Sequence, residues 1–126
     1  MGMTVYYSGS RQTPFTDNEK VIVKQNLTKY SVNDQIEIFL KTGDGWNGEP
    51  YSFETNAHGM LLSDGDTILR GSASLPYGSN ELTADALWHF CDALSDLRRS
   101  LTGLEWEFRF DEIVIEWDEA QQAYAL

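Results

Sequence analysis

The chain has 126 residues, of which 41% are apolar and 13% aromatic, and this composition excludes an intrinsically disordered protein. Its length suits one domain with a single hydrophobic core. The formal net charge of −11 argues against binding to nucleic acid or to an anionic membrane, because both require a basic surface, but it permits a basic protein partner.

The first half of the chain predicts a strand, a helix and a second strand. Thr4–Tyr7 has the composition of a strand. Thr16 and Glu19 have the spacing of a capping box and predict a helix over about Asp17–Tyr30. Apolar residues alternate with other side chains over Asp34–Thr42, which predicts a strand there.

The middle of the chain is rich in turn formers. Gly43–Pro50 reads as a loop and Tyr51–Glu54 as a short strand. Met60–Leu62 and Thr67–Ala73 are apolar runs on either side of Ser63–Asp66, whose Asp-Gly pair predicts a hairpin.

A long helix is predicted from Ala84 to Leu101. Thr83 has the side chain of an N-cap, Arg98 and Arg99 suit the last turn, and Gly103 suits a left-handed residue after the helix end. Six apolar residues recur at three- and four-residue steps and predict a core-facing stripe, namely Leu87, Phe90, Cys91, Leu94, Leu97 and Leu101.

A hairpin is predicted after this helix, with strands Leu104–Phe110 and Ile113–Asp118 joined at Asp111-Glu112. A two-residue loop sets the register and puts six apolar residues on one face, as the pairs Phe110–Ile113, Phe108–Ile115 and Trp106–Trp117. The same register opposes Glu107 to Glu116 and Glu105 to Asp118, where like charges are unfavourable. Seven acids and one arginine lie between Glu105 and Glu119, a local net charge of −6.

The order of these elements predicts the fold class. Parallel crossovers are few, so we expect one α+β domain over residues 1–126, with a mainly antiparallel sheet of about five to seven strands and two helices packed on one face.

No metal, cofactor or catalytic site is predicted. His58 lies in a turn and His89 in the long helix, and neither has a familiar zinc spacing. Cys91 falls on the apolar stripe, where a thiol is usually inert. No apolar run approaches a membrane span and no signal sequence is present, so together with the single cysteine we expect a cytoplasmic protein without membrane contact.

The acidic hairpin has two interpretations. It is either a solvated face that keeps the protein soluble, or an electrostatic surface that attracts a basic protein. In the second case we expect partner contacts from five acids, with the aromatic residues Trp46 and Tyr124 as anchors. For Trp46, which lies on a loop, the alternative is packing into the core. The five acids are Glu105, Glu107, Glu116, Asp118 and Glu119.

Two resemblances concern the class of protein. The stretch from Leu97-Arg98-Arg99 through Trp106 to Trp117-Asp118-Glu119 and Tyr124 resembles a group of small uncharacterised bacterial proteins, with a Leu-Arg-Arg helix end and a closing Trp-Asp-Glu strand. This resemblance covers roughly the last forty residues and implies no activity. In size, charge and fold class the chain is also similar to bacterial toxin-immunity proteins, which implies a basic toxin as partner and assigns no residues.

Three hypotheses follow. The first is a non-enzymatic binding protein of immunity or inhibitor type that uses the acidic hairpin. The second is a small-ligand-binding protein or enzyme with a pocket near Trp46, His58 and the Gly43–Pro50 loop. The third is a homodimer formed through an edge of the sheet.

Overall fold

The computed structural model describes residues 3–126 and has the predicted α+β class. The described residues form nine elements: β1 Thr4–Ser10, α1 Asp17–Lys29, α2 Asn33–Thr42, β2 Thr67–Ser74, α3 Asn80–Ser100, β3 Glu105–Phe110, β4 Ile113–Val114, β5 Glu116–Asp118 and β6 Ala123–Ala125. The main sheet has four antiparallel strands in the order β2-β1-β3-β4, and β5 and β6 form a separate antiparallel pair. The predicted sheet of five to seven strands is therefore too large, and three helices replace the predicted two.

β1 is an interior strand of the main sheet and lies between β2 and β3. Val5, Tyr7 and Gly9 on one side of β1 are buried and define the inner face of the sheet. Tyr6 and Ser8 lie on the other side, which we call the outer face. Strand residues alternate between the two faces, so the register of β1 determines which side chains reach the core.

α1 forms as its sequence predicts. The hydroxyl of Thr16 accepts from the backbone N–H of Glu19, and the carboxylate of Glu19 accepts from the backbone N–H of Thr16. This reciprocal capping satisfies two donors that the first helical turn leaves open. The helix ends at Lys29, one residue before the predicted end.

α2 replaces the predicted strand over Asp34–Thr42, so that prediction is wrong. The side chains that turn inward are Val32, which is buried, and Ile36 and Phe39, which are half-buried. They recur at steps of four and three, whereas Leu40 of the alternating set is 77% exposed. The apolar residues of this segment fit both the two-residue repeat of a strand and the 3.6-residue repeat of a helix. The helix forms because it packs the inward-facing residues against the core.

The segment before β2 is extended but irregular. Tyr51–Glu54 is not a strand; it covers the free edge of β2 with one bond from the Glu54 N–H to the Arg70 carbonyl. The predicted Asp-Gly turn is present, since Asp64 and Thr67 exchange two backbone hydrogen bonds. Its first arm, Met60–Leu62, makes one isolated bridge instead of a strand.

α3 begins four residues earlier than predicted. Ser79 is its N-cap, and its hydroxyl accepts from the Leu82 N–H at 3.1 Å. Thr83 lies inside the helix, where its hydroxyl donates to the Pro76 carbonyl. The helix ends at Ser100, within one residue of the predicted end, and Gly103 has the expected positive φ of 81°.

The predicted hairpin after α3 is only partly correct. Phe110 pairs with Ile113, and the Ile115 N–H donates to the Phe108 carbonyl, as the predicted register requires. After Ile115 the chain leaves β3, and Trp117 pairs with Tyr124 of β6 instead of Trp106. The predicted oppositions of like charges are therefore absent.

The core lies between the inner face of the sheet and the helices. Phe90 of α3 packs against the Tyr7 ring of β1, with 6.1 Å between ring centroids. α1 packs against α3, and the Asn26 Nδ2 group donates to the Ala93 carbonyl at 2.9 Å. α3 thus connects the sheet to α1.

Candidate functional site

The outer face of the main sheet carries three charged residues of β3. Arg109 is level with Tyr6 of β1, Glu107 with Ser8, and Glu105 with Ser10. The serines are short, so they leave a trough between β3 and the Arg70 side of β2. A shallow cleft of about 290 Å³ occupies this trough.

Most of the charge inside this cleft is paired. Arg70 forms an ion pair with Glu54, and the Arg109 Nε lies 3.6 Å from the Glu107 carboxylate. The Arg109 guanidinium also stacks on the Tyr6 ring at 4.2 Å from its centroid. The cleft is therefore nearly neutral.

The five predicted acids are separated into two groups. Glu105 and Glu107 are exposed on the outer face, and Glu116 is exposed at the start of β5. Asp118 is half-buried, and its Oδ1 accepts from the backbone N–H groups of the β5–β6 turn. Glu119 belongs to the same turn, where it accepts from the Gln122 side chain.

Asp118 and Glu119 thus stabilise a turn by their own hydrogen bonds. Within residues 3–126, Glu105 and Glu116 are in no ion pair, and Glu107 has only the long contact with Arg109. We call Glu105, Glu107 and Glu116 the acidic surface.

Neither predicted aromatic anchor is on the surface. Trp46 is 8% exposed, its Nε1–H donates to the Glu49 carbonyl, and its ring packs edge-on against His89. Tyr124 is 4% exposed and packs against Phe108. In this fold both side chains are part of the core, so a partner cannot contact them.

The two histidines lie in different environments. His58 is exposed in a turn, and its backbone N–H donates to the Asn56 side chain. His89 is half-buried, and its Nε2 lies 2.7 Å from the Tyr30 carbonyl, so Nε2 carries a proton and donates. The Trp46 ring, which the pocket hypothesis needs to face a ligand, is packed against His89 instead.

Cys91 is buried on α3, and desolvation raises the pKa of its thiol to about 12. A thiol in such a site is protonated and a poor nucleophile. Among the described residues, no group of three or more His, Cys, Asp or Glu side chains is placed to hold a metal ion.

A second concave surface lies between α1 and the segment from Thr55 to Gly65, and neither Trp46 nor His58 of the predicted pocket lines it. Its volume is about 770 Å³, and we call it the α1 groove. Lys20 and Lys24 lie along it, and Gly59 and Met60, the neighbours of His58, line the opposite side. The one sequence feature that could have indicated this groove is the spacing of Lys20 and Lys24, one helical turn apart and next to the apolar Val23.

The residues that carry the first resemblance meet at the end of α3. The Arg98 guanidinium lies 4.2 Å from the centre of a Trp117 ring, and its Nη1 donates to the Tyr124 hydroxyl. Arg99 donates to the Gln122 carbonyl in the β5–β6 turn. The Leu-Arg-Arg and Trp-Asp-Glu sequences therefore join α3 to the β5–β6 pair.

Comparisons with family models, with curated proteins and with solved structures find no match to this chain. In the part of the chain that the structure describes, no helix is both long and apolar enough to cross a membrane.

Proposed function

We propose that the protein is a non-enzymatic binding module that engages a basic protein through the acidic surface. The observation that carries this proposal is the exposure of Glu105, Glu107 and Glu116, three carboxylates in a segment with a net charge of −6. Carboxylates that serve the fold usually have partners, as Glu19 and Asp118 do. Among the described residues Glu105 and Glu116 have no such partner and Glu107 has only the long contact with Arg109, so all three can reach a partner's lysine or arginine side chains.

An inhibitor of immunity type, acting in the cytoplasm on a basic toxin, is the form of this function that fits the charge best. Opposite net charges accelerate association and make it sensitive to salt. The buried aromatic residues Trp46 and Tyr124 are not part of the proposed surface. Tyr6 of the neighbouring strand is 38% exposed, with Arg109 over one side of its ring, and offers such a partner an aromatic contact close to Glu107.

The test uses the purified protein as bait in a lysate of its source, with washes at low and then high salt. A triple variant, Glu105→Lys, Glu107→Lys and Glu116→Lys, should lose a protein that the parent retains at low salt and releases at high salt. The matched control, Asp44→Lys, Asp85→Lys and Asp92→Lys, makes the same change in net charge at exposed positions elsewhere. It should keep the captured protein.

Equal loss in both triple variants would mean that net charge alone drives retention, and the proposal would then be wrong. Polylysine serves as the reference for that behaviour, because its binding depends on net charge and should fall equally in both variants.

Self-association is the second candidate, and one observation favours it. β4 is an edge strand of the main sheet, and its residues Ile113 and Val114 are 65% and 59% exposed. Exposed apolar edge strands pair readily with other chains. A dimer in sedimentation that dissociates on Val114→Lys would support this candidate, and a monomer at all concentrations would eliminate it.

A further inference from the structure

The α1 groove combines an apolar floor with a basic rim. Three floor residues belong to the core and are less than 10% exposed, namely Phe15, Val23 and Ile68. Leu27 and Leu61 extend the floor as half-buried residues. Water against such a floor makes few hydrogen bonds, so an apolar ligand would gain free energy by displacing it.

The rim carries two lysines in an otherwise acidic protein. Lys20 and Lys24 are one helical turn apart on α1, and both line the groove. Like charges at this spacing repel each other slightly, and one anion between them would relieve the repulsion. Within residues 3–126 neither lysine is in an ion pair, whereas Lys29 and Lys41 each bind a carboxylate.

The charge of the whole chain strengthens this contrast. Residues 1–41 contain five of the nine basic side chains but only four of the twenty acids. Gly65 on the opposite rim is flanked by Asp64 and Asp66, but neither aspartate lines the groove, and Asp64 lies 3.8 Å from Arg70. The part of the chain that supplies α1 and its two rim lysines is thus much less acidic than the remainder.

We propose that the α1 groove binds a free aliphatic monocarboxylate of the medium-chain fatty acid class. The hydrocarbon chain would lie on the floor formed by Phe15, Val23 and Ile68, and the carboxylate would lie between Lys20 and Lys24. Met60, 59% exposed at the rim, has a flexible thioether that can adapt to chains of different length.

The lining favours this ligand over an acidic peptide. A volume of about 770 Å³ is in the range of small-molecule sites. A peptide backbone also needs hydrogen-bond partners, but the Asn56 side-chain oxygen already accepts from the N–H groups of His58 and Met60. The remaining polar lining residues are few, namely Gln12, Thr55 and Ser63.

The net charge favours a free ligand over one embedded in a membrane. At a net charge of −11 the protein is repelled by anionic membrane surfaces, so approach to a bilayer is unfavourable. A dissolved monocarboxylate carries a single charge and reaches the lysine rim without that cost.

The test titrates sodium decanoate into the full chain below its micelle concentration, with calorimetry and amide chemical-shift mapping. We expect one saturable site, with shifts in α1 and in residues 55–65. 1-Decanol should bind more weakly, since it keeps the chain and lacks the charge. Decyltrimethylammonium should bind most weakly of the three, because its charge is opposite.

Two variants separate the rim from the floor. Lys20→Met with Lys24→Met should weaken decanoate on the order of tenfold and leave decanol unchanged, because only the charge contacts are removed. Ser63→Trp places a bulky ring at an exposed lining position and should weaken both ligands without unfolding the chain. Lys29→Met with Lys41→Met makes the same change in net charge away from the groove and should leave decanoate binding unchanged.

Any of three results would overturn the proposal: no shifts in these segments, equal binding of decyltrimethylammonium, or decanoate binding that neither variant alters. An acidic peptide that competes for the groove more tightly than decanoate would replace the fatty acid as its occupant. The acidic surface is tested separately, since its triple variant should bind decanoate as the parent does.

Discussion

The guanidinium of Arg11 and the carboxylate of Glu19 form a bidentate ion pair, with Nη1–Oε2 and Nη2–Oε1 distances of 2.8 and 2.6 Å. Arg11 follows β1, and Glu19 is the capping-box residue of α1. Arg11 also donates to the carbonyls of Thr13 and Pro14 and stacks beside Phe15. One side chain thus holds the connection from the central strand to the first helix.

The first prediction concerns acid stability. The hydrogen bonds from Arg11 and then from the Thr16 backbone lower the pKa of Glu19 from 4.5 to about 2. A carboxylate with a depressed folded-state pKa stabilises the fold fully above its unfolded value, and the stabilisation is lost as the pH falls through the folded value. Glu19→Gln keeps a capping residue but removes the charge.

We therefore expect the difference in urea midpoint between parent and Glu19→Gln to be largest above pH 4.5 and to shrink as the pH falls toward 2. Glu37→Gln is the control, because its ion pair with Lys41 is solvent-exposed and contributes little. A constant difference across this range would contradict the assignment.

The second prediction concerns Asn26, the one buried side-chain amide of α1. The Tyr51 hydroxyl donates to Asn26 Oδ1 at 2.5 Å, and burial raises the pKa of Tyr51, so the donor keeps its proton. Tyr51→Phe leaves the buried oxygen without this donor and should lower the free energy of unfolding by about 1–3 kcal/mol. Chemical denaturation measures the change.

Tyr77→Phe removes the same hydroxyl from a side chain that is 66% exposed and should change stability by less than about 0.5 kcal/mol. Equal effects of the two substitutions would show that the Tyr51 hydroxyl bond does not stabilise the core.

The third prediction concerns the joint between α3 and β5–β6. Arg98→Lys keeps the charge but loses the guanidinium group that lies over the Trp117 ring and donates to the Tyr124 hydroxyl. We expect the free energy of unfolding to fall by about 1 kcal/mol, with faster hydrogen exchange at the Tyr124 amide, which donates to the Ser95 hydroxyl.

Arg99→Lys is the control, because it retains a donor for the Gln122 carbonyl, and it should change hydrogen exchange at the Tyr124 amide less. Unchanged exchange in Arg98→Lys would contradict a coupling between the two elements.

The fourth prediction concerns Cys91. Because the thiol is buried and its pKa is raised to about 12, a thiol reagent should modify it only when the protein opens. Labelling at neutral pH should be slow without denaturant and should accelerate in parallel with the unfolded fraction in urea. Fast labelling of the folded protein would mean that α3 opens locally.

The sequence predicted the elements whose signals are close together in the chain. The Thr16–Glu19 capping box marks the start of α1, and the arginine pair marks the end of α3. The alternation over Glu105–Phe110 predicts β3 and its exposed glutamates. Each signal works through contacts within about one turn of helix or one strand, so no distant residue is needed to interpret it.

The errors arise where distant contacts choose between local alternatives. The pattern over Asn33–Thr42 suits strand and helix, and the packing of Val32 and Ile36 against the core decides for helix. The predicted hairpin register pairs Trp117 with Trp106. In the structure Trp117 pairs with Tyr124 in a second sheet and packs against Arg98. Trp46 and Tyr124 were expected as anchors if the hairpin binds a partner, and of the two alternatives for Trp46 the structure has the packed one; both rings lie in the core.

Composition and short-range spacing were sufficient for the α+β class, the acidic C-terminal segment and the start of α1 at its capping box. Contacts across the chain made the remaining choices. Gly71 is one example, since a Cβ there would collide with the Tyr7 ring and the Ser52 carbonyl, and no local pattern reveals this requirement. The α1 groove is another, because Lys20 becomes part of a site only when the chain near Met60 folds over α1. Both features depend on contacts between residues that are distant in the sequence, and such contacts are determined by the fold of the whole chain.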